Sequence, residues 1–385
     1  MKSLIDEWKH VSGSKFLLGI FIGPLIGAVF FGLMFSRNQL NEAPVAVIDE
    51  DHSAYSAQLI SKINASQYMK VVDIFPGPID PATILANEKA VAVIVLPSRL
   101  EHRKLQGLSS NIGILMDNSM PSGLTGIRAA IQEIVTTENM TLSMAKLLRS
   151  GMDADTARGI VFPLSLQQRL LFNPTSSYID FMVLGFVHII ALMILLGSAG
   201  SIAPRLRKEG RLFAYGSSPF QFWIRSVPYA LIHTLSLMLC YGALKQFGHL
   251  RFETEPYIFV VPVLVYSFAL TLLGMLIGYS AKDTTRISAR ASAIVYPSFL
   301  ATGVQITPLV FPKFFQIIAY ALPMNWLNRL FRGMALRGEG LSAFGLEMGA
   351  LIIITGVSTL LIGLLVSRES RRTEEQFGRV SGVQP

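Results

Sequence analysis

The sequence predicts a polytopic α-helical membrane protein with six transmembrane helices and an extracytoplasmic α/β domain inserted between helices 1 and 2. Hydrophobic residues make up 51% of the 385 residues and the mean hydropathy is +0.48, as is typical of a multi-pass membrane protein. Six apolar stretches are each long enough to cross a hydrocarbon layer of ~30 Å as a helix. A long polar segment with alternating strand and helix signals separates the first stretch from the second.

These stretches divide the chain into its predicted parts. The apolar stretches lie at 16–35, 178–203, 222–244, 257–280, 291–308 and 344–366. The parts are a cytoplasmic amphipathic helix at 1–15, transmembrane helix 1 at 16–36, an extracytoplasmic α/β domain at 37–175, transmembrane helices 2–6 at 176–367 and a cytoplasmic tail at 368–385.

The N-terminal part is interpreted as a surface helix followed by a membrane anchor. Leu4, Ile5, Trp8 and Val11 have helical spacing among charged residues, which favours an amphipathic helix on the cytoplasmic surface. A cleaved signal peptide is the alternative. The apolar run of about 20 residues exceeds the ~7–15 of a signal peptide, and residues 34–37 lack a small-x-small cleavage site.

The polar segment predicts a small α/β domain. Strands are expected at 45–49, 71–75, 90–96 and 111–116, and helices at 53–65, from 80 onward and at 121–148. An acidic cluster follows the first strand: Asp49, Glu50, Asp51 and His52. A solvated loop with a helix cap explains this cluster better than a site, because no second His or Cys has metal-ligand spacing. No catalytic motif is found, so we expect neither a catalytic residue nor a metal site in this chain.

Positive charge is concentrated beside the apolar stretches, which accounts for the net charge of +8 without a nucleic-acid partner. Basic clusters precede the first stretch, separate the second from the third and the fourth from the fifth, and follow the sixth. If all six stretches cross, the positive-inside rule assigns this side, with both termini, to the cytoplasm. Four basic residues lie on the other side, in a semi-apolar region that we interpret as interfacial: Lys313, Arg329, Arg332 and Arg337.

The apolar stretches contain few polar groups. His188 and His233 are the titratable residues deep inside them, and they are interpreted either as hydrogen-bonded helix contacts or as residues of a translocation pathway. Gly19, Gly23 and Gly27 recur every four residues, which permits close helix packing and makes this face a candidate dimer interface. The chain lacks the G-x-x-x-x-G-K motif that cradles nucleotide phosphates, so ATP could drive it only through another polypeptide.

Three segments carry a family resemblance. Residues 207–219 read RKEGRLFAYGSSP, residues 169–174 read RLLFNP and precede Gly185, and residues 302–332 contain TGV, P, FP, LPMNW and R in order. Together they resemble the permeases of ABC-2 type transporters, the membrane subunits of one class of ABC exporter. The resemblance covers essentially the whole chain, although Arg211 stands where the family often has a small residue.

The resemblance implies a function. It makes 204–219 a coupling loop seated on an ATPase and 309–340 an outer re-entrant segment. The implied coupling residues are Arg207, Lys208, Glu209, Gly210 and Arg211. The implied partners are ABC ATPase subunits, which bind ATP and Mg²⁺, a second copy or a homologous permease, and the lipid bilayer of a bacterial inner membrane. A periplasmic adaptor is left open.

Two other functions remain as alternatives. One is a membrane-anchored extracytoplasmic protein that binds a ligand or partner without transport. The other is an ion-coupled carrier, which the missing mid-membrane carboxylates disfavour.

Overall fold

The computed structural model describes residues 1–35, 42–86, 89–118, 124–162, 171–173, 177–213, 218–281, 285–304 and 307–381. The chain separates into two compact units, Met1–Asn38 with Leu170–Pro385, and Gln39–Arg169. The first unit is helical and carries the apolar stretches, and the second contains a β-sheet.

The secondary-structure elements are, in chain order, α1 (Lys2–Ser12), α2 (Lys15–Met34), β1 (Ala43–Asp49), α3 (Ala54–Asn64), β2 (Met69–Phe75), α4 (Pro81–Ala86), β3 (Ala92–Leu96), α5 (Leu100–Leu105), β4 (Gly113–Met116), α6 (Thr125–Arg149), α7 (Ala154–Val161), α8 (Leu184–Gly200), α9 (Ile202–Lys208), α10 (Pro219–Trp223), α11 (Ser226–Gly248), α12 (Pro256–Tyr279), α13 (Thr285–Ala301), α14 (Lys313–Ala321), α15 (Pro323–Leu330) and α16 (Gly345–Ser381). π-helical turns at Ile179–Val183 and Phe331–Leu336 and 3-10 turns at Pro308–Val310 and Leu341–Phe344 accompany them.

Five helical stretches among the described residues are long and apolar enough to span a membrane. They are Lys15–Met34, Leu184–Lys208, Pro219–Gly248, Pro256–Tyr279 and Leu341–Arg372. The helical membrane fold is therefore confirmed, with five spans at positions predicted from the sequence.

The predicted fifth span, 291–308, overlaps the shorter helix α13 only over residues 291–301. The 17 residues of α13 correspond to about 26 Å of helix, slightly less than the ~30 Å hydrocarbon layer. The helix ends at Ala301, just before Gly303, whose φ is +82°. A sixth crossing remains a prediction.

Glycine residues allow the helices of the first unit to approach closely. A Cβ atom at Gly278 of α12 would overlap the carbonyl group of Gly200 in α8, and one at Gly185 would overlap the side chain of Val304. Close backbone approach of this kind is the usual packing mode of membrane helices. These contacts fix α8 at the centre of the helical unit.

An aromatic cluster fills the core beside α8. It consists of Tyr241 on α11, Phe252 in the following loop, Phe259 on α12 and Phe331 after α15, all within the described residues. Their ring centroids lie 5.3–6.2 Å apart, within the range of favourable aromatic pairs. The cluster packs the segment after α15 against α11 and α12.

The second unit is an α/β fold with a four-stranded sheet in the order β2-β1-β3-β4. β1 pairs in parallel with β2 and β3, and β4 pairs antiparallel to β3. The central strands β1 and β3 are the most buried, in keeping with their apolar sequences. The four strands lie where the sequence predicts them, within a few residues. α6 covers most of the predicted 121–148 helix, of which 121–123 fall outside the described residues.

Candidate functional site

The predicted coupling residues lie at the C-terminal end of α9, which follows α8 after Ser201 alone. Gly210 ends this helix in the left-handed conformation, with a φ of +66°. The Gly210 N–H donates to the carbonyl of Arg207 at 3.0 Å, and the Arg211 N–H donates to that of Leu206 at 2.8 Å. This is a Schellman motif, in which glycine is favoured because it has no Cβ atom.

Three arginines of this segment form ion pairs within the chain. Arg205 contacts Glu7 at 2.5 Å and Arg211 contacts Asp6 at 2.6 Å, so both connect the segment to α1. Arg207 forms a two-point pair with Glu369 of α16, at 3.0 and 2.7 Å. Such bidentate pairs fix both distance and orientation. We name Arg205–Arg211 with these partners the braced segment.

Glu7 is the centre of the contact with α1. Its carboxylate is completely buried and also accepts hydrogen bonds from Arg225 at 2.9 Å and from the Tyr229 hydroxyl at 3.0 Å. Ser3, Glu7 and Val11 form the buried face of α1, at a spacing of four residues. Ile5 and Trp8 remain exposed on the helix, which suits a position at the membrane interface.

Asp6 lies at the edge of this cluster. Burial alone would raise the pKa of its carboxyl group. The hydrogen bond and charge of Arg211, together with the charge of Arg225, oppose burial and lower the pKa below its ordinary value. Asp6 is therefore held in the ionised form that pairs with the braced segment.

Two charged residues of the braced segment point outward. Lys208 and Glu209 are both exposed. Glu209 lies 3.4 Å from Arg211, and no carboxylate of the described residues forms an ion pair with Lys208. These two side chains are therefore available to another molecule.

His188 lies in a chain of hydrogen bonds that connects helices α8, α11 and α15 with Thr302, the residue after α13. Asn328 donates from its Nδ2 atom to the Thr302 carbonyl at 3.1 Å, which leaves its Oδ1 atom to accept from His188 Nδ1 at 2.9 Å. His188 Nε2 then accepts from the Tyr241 hydroxyl at 2.7 Å. Both ring nitrogens are satisfied with the imidazole neutral. The structure thus shows the helix-contact arrangement, and a pathway role stays a prediction.

His233 is equally buried but only half satisfied. Its Nδ1 atom lies 2.8 Å from the Ser267 hydroxyl, whereas Nε2 has no partner among the described residues. The neighbouring Tyr266 ring, at 5.9 Å between centroids, also carries an unpartnered hydroxyl within the described part of the chain. Buried polar groups of this kind are commonly bridged by ordered water.

The candidate interface glycines face a helix of the same chain. Gly23 and Gly27 both contact α8: an ideal Cβ atom at Gly23 would lie 3.1 Å from the side chain of Ile194, and one at Gly27 would lie 2.9 Å from that of Ile190. Gly19 lies on the same side of α2, farther from Ile194. This face therefore packs within one chain, and its contact with a second copy stays a prediction.

The acidic cluster after β1 stabilises local structure. Asp51 accepts the backbone N–H groups of Leu100 and Glu101 at 2.7 and 3.0 Å, and Asp49 accepts the Ser56 hydroxyl at 2.8 Å. Burial raises the pKa of Asp51. The hydrogen bonds that Asp51 accepts from the Ser53 hydroxyl and from the backbone of Leu100 and Glu101 lower its pKa by more. No cluster of His, Cys, Asp or Glu suited to a metal ion occurs within the described residues.

A family model described as an ABC-2 family transporter protein matches residues 14–364. The chain belongs to the ABC-2 transporter family. Two relatives, each called inner membrane transport permease YhhJ, come from Escherichia coli (strain K12) and Shigella flexneri. Each is 22% identical over 362 residues, covering 91% of this chain and 92% of the relative. The resemblance inferred from the three motifs is confirmed.

In this ABC-2 permease, sequence reasoning missed the acidic partners of the braced segment. Glu7 and Asp6 precede Arg205 and Arg211 by about 200 residues, and Glu369 lies on α16. One signal was present: Glu7 shares the four-residue spacing of Ser3 and Val11, which places a carboxylate on the buried face of α1. A buried carboxylate requires a cationic partner.

Proposed function

We propose that this permease is the membrane-spanning subunit of an ATP-driven ABC exporter in a bacterial inner membrane. It forms the translocation pathway as a dimer, and separate ATPase subunits bind ATP and Mg²⁺. The inner-membrane assignment follows the names of its relatives. The absence of a G-x-x-x-x-G-K motif in the sequence supports separate ATPase chains.

The observation that carries this proposal is the braced segment. α9 is tied to α1 through Glu7 and Asp6 and to α16 through Glu369. A force applied to such a segment moves several helices together instead of bending one loop. Arg207 and Arg211 therefore act by bracing the segment, and Lys208 and Glu209 contact the ATPase.

Copurification tests the proposal. The tagged full-length chain is isolated in mild detergent from its native cells, and proteins that accompany it are identified by mass spectrometry. We expect an ATPase subunit with a G-x-x-x-x-G-K motif. Glu209→Lys should reduce its recovery about tenfold or more, because loss of one partner of a desolvated interfacial pair costs roughly 2–5 kcal/mol.

Glu255→Lys is the matched control, since Glu255 is exposed and lies at the start of α12, on the side predicted to be extracytoplasmic. This variant should keep full ATPase recovery. Equal recovery for both variants would show that the braced segment is not the docking element. Export that continues without ATP and follows a pH gradient would instead support the ion-coupled carrier.

A further inference from the structure

A cavity of about 270 Å³ lies in the region between α13 and α16. Its walls combine polar, charged and apolar side chains, among them Tyr320, Asn325, Arg329, Arg332, Arg337 and Glu347. In the sequence, the three arginines are an exception to the positive-inside rule, and Arg332 also closes the third segment of the family resemblance. The proposed function gives them no role.

The charges around the cavity do not balance. Arg329 pairs with Glu347 at 3.0 Å. Arg332 donates to the carbonyl of Gly303 at 3.2 Å, and Arg337 lies over the Phe172 ring, but neither forms an ion pair with a carboxylate of the described residues. Two guanidinium groups thus have no carboxylate counter-charge in the described part of the chain. Guanidinium matches phosphate and carboxylate oxygens well.

Asn325 provides an independent sign of a ligand. It is 1% exposed and lines the cavity, yet neither its Oδ1 nor its Nδ2 atom has a hydrogen-bond partner among the described residues. A buried amide without partners is costly and rare in native proteins. A bound group with both oxygen atoms and hydroxyl groups would satisfy both of its polar atoms.

The surroundings of the cavity are apolar. Tyr320, Leu309 and Phe344 form part of its wall. The adjacent helix α14 exposes Phe314 and Ile317, each 68% accessible. In a membrane protein such a face contacts acyl chains, so an anion that reaches the cavity can carry a hydrocarbon tail along α14.

We propose that this cavity binds the phosphate-bearing headgroup of an anionic phospholipid. Arg332 and Arg337 contact the phosphate, the Asn325 amide bonds to headgroup oxygens and hydroxyls, and the acyl chains lie along α14. The site is separate from the braced segment and does not depend on ATP coupling.

Thermal unfolding of the delipidated full-length chain in detergent tests this site, with binding measured in parallel by native mass spectrometry. The probes are phosphatidylglycerol, phosphatidylcholine and inorganic phosphate. We expect that, of the three probes, only phosphatidylglycerol raises the unfolding temperature and remains bound in the mass spectrum. Equal stabilisation by phosphatidylcholine, or by inorganic phosphate, would overturn the proposal, because the first shows no charge selectivity and the second shows a site for a free anion.

Variants identify the residues involved. Asn325→Leu preserves the branched shape of the side chain and removes an amide that makes no hydrogen bond within the described residues, so the fold should be kept. Asn325→Leu and Arg337→Gln should each weaken phosphatidylglycerol binding about tenfold. Lys313→Gln, which removes an exposed charge at the start of α14 and does not line the cavity, should leave binding unchanged. Unchanged lipid selectivity in both cavity variants would refute the assignment.

Discussion

Glu7 is a single buried charge that stabilises the helical unit by holding several side chains together. Its carboxylate has no exposure and is shared by Arg205, Arg225 and Tyr229. Arg225 is also nearly inaccessible, with 3% of its side chain exposed. Removing the Glu7 charge takes away the carboxylate partner of Arg205 and leaves Arg225 with only its longer contact of 3.5 Å to Asp6. Breaking a buried ion pair in this way costs far more than losing a surface ion pair.

Glu7→Gln should therefore destabilise the chain by about 3–5 kcal/mol, the typical cost of breaking a buried ion pair. The measurement is thermal unfolding of the purified protein in detergent, followed by intrinsic fluorescence. Glu255→Gln removes an exposed carboxylate and should leave the unfolding temperature unchanged. Similar unfolding temperatures for the two variants would mean that α1 does not anchor the helical unit.

At the scale of elements, the short helix α9 depends on its C-terminal glycine. The Schellman motif at Gly210 uses the N–H groups of Gly210 and Arg211, and it places Arg211 where Asp6 can reach it. Proline at 210 cannot adopt a positive φ and has no N–H group. Asparagine tolerates the left-handed conformation better than other non-glycine residues.

Gly210→Pro should accordingly be well expressed and inserted but should lose ATPase recovery, whereas Gly210→Asn should retain most of it. Expression and insertion are compared in membrane fractions, and ATPase recovery by the copurification described above. Equal ATPase recovery with the proline and asparagine variants would show that ATPase docking does not depend on the backbone shape of the braced segment.

At the scale of the whole molecule, the number of crossings depends on α13. If this helix crosses the membrane, residues on its two sides lie in different compartments, and α16 then returns the chain to the side of the membrane that holds the N-terminus. If it does not cross, the C-terminus lies opposite the N-terminus. The positive-inside rule favours a crossing, because Arg286 and Arg290 lie in the first two turns of α13, and Arg371 and Arg372 follow the apolar part of α16.

Cysteine labelling measures this directly. In a Cys240→Ser background, single cysteines at exposed Ser109 and Ser342 should react with a membrane-impermeant thiol reagent in intact spheroplasts. Cysteines at exposed Ser12, Arg286 and Arg371 should react only after permeabilisation. Labelling of Arg371→Cys in intact spheroplasts would contradict the six-helix topology.

The sequence by itself determined the membrane class, five spans, the strands of the α/β unit and the family, because hydropathy, side-chain periodicity and short motifs are local properties of the chain. Only the tertiary structure decided which charges meet. Glu7 joins Arg205 and Glu369 joins Arg207, and the Asn325 side chain has no hydrogen-bond partner among the described residues although three arginines lie beside it. These contacts join residues that are distant along the chain, and they depend on how the helices pack rather than on any pattern within one of them.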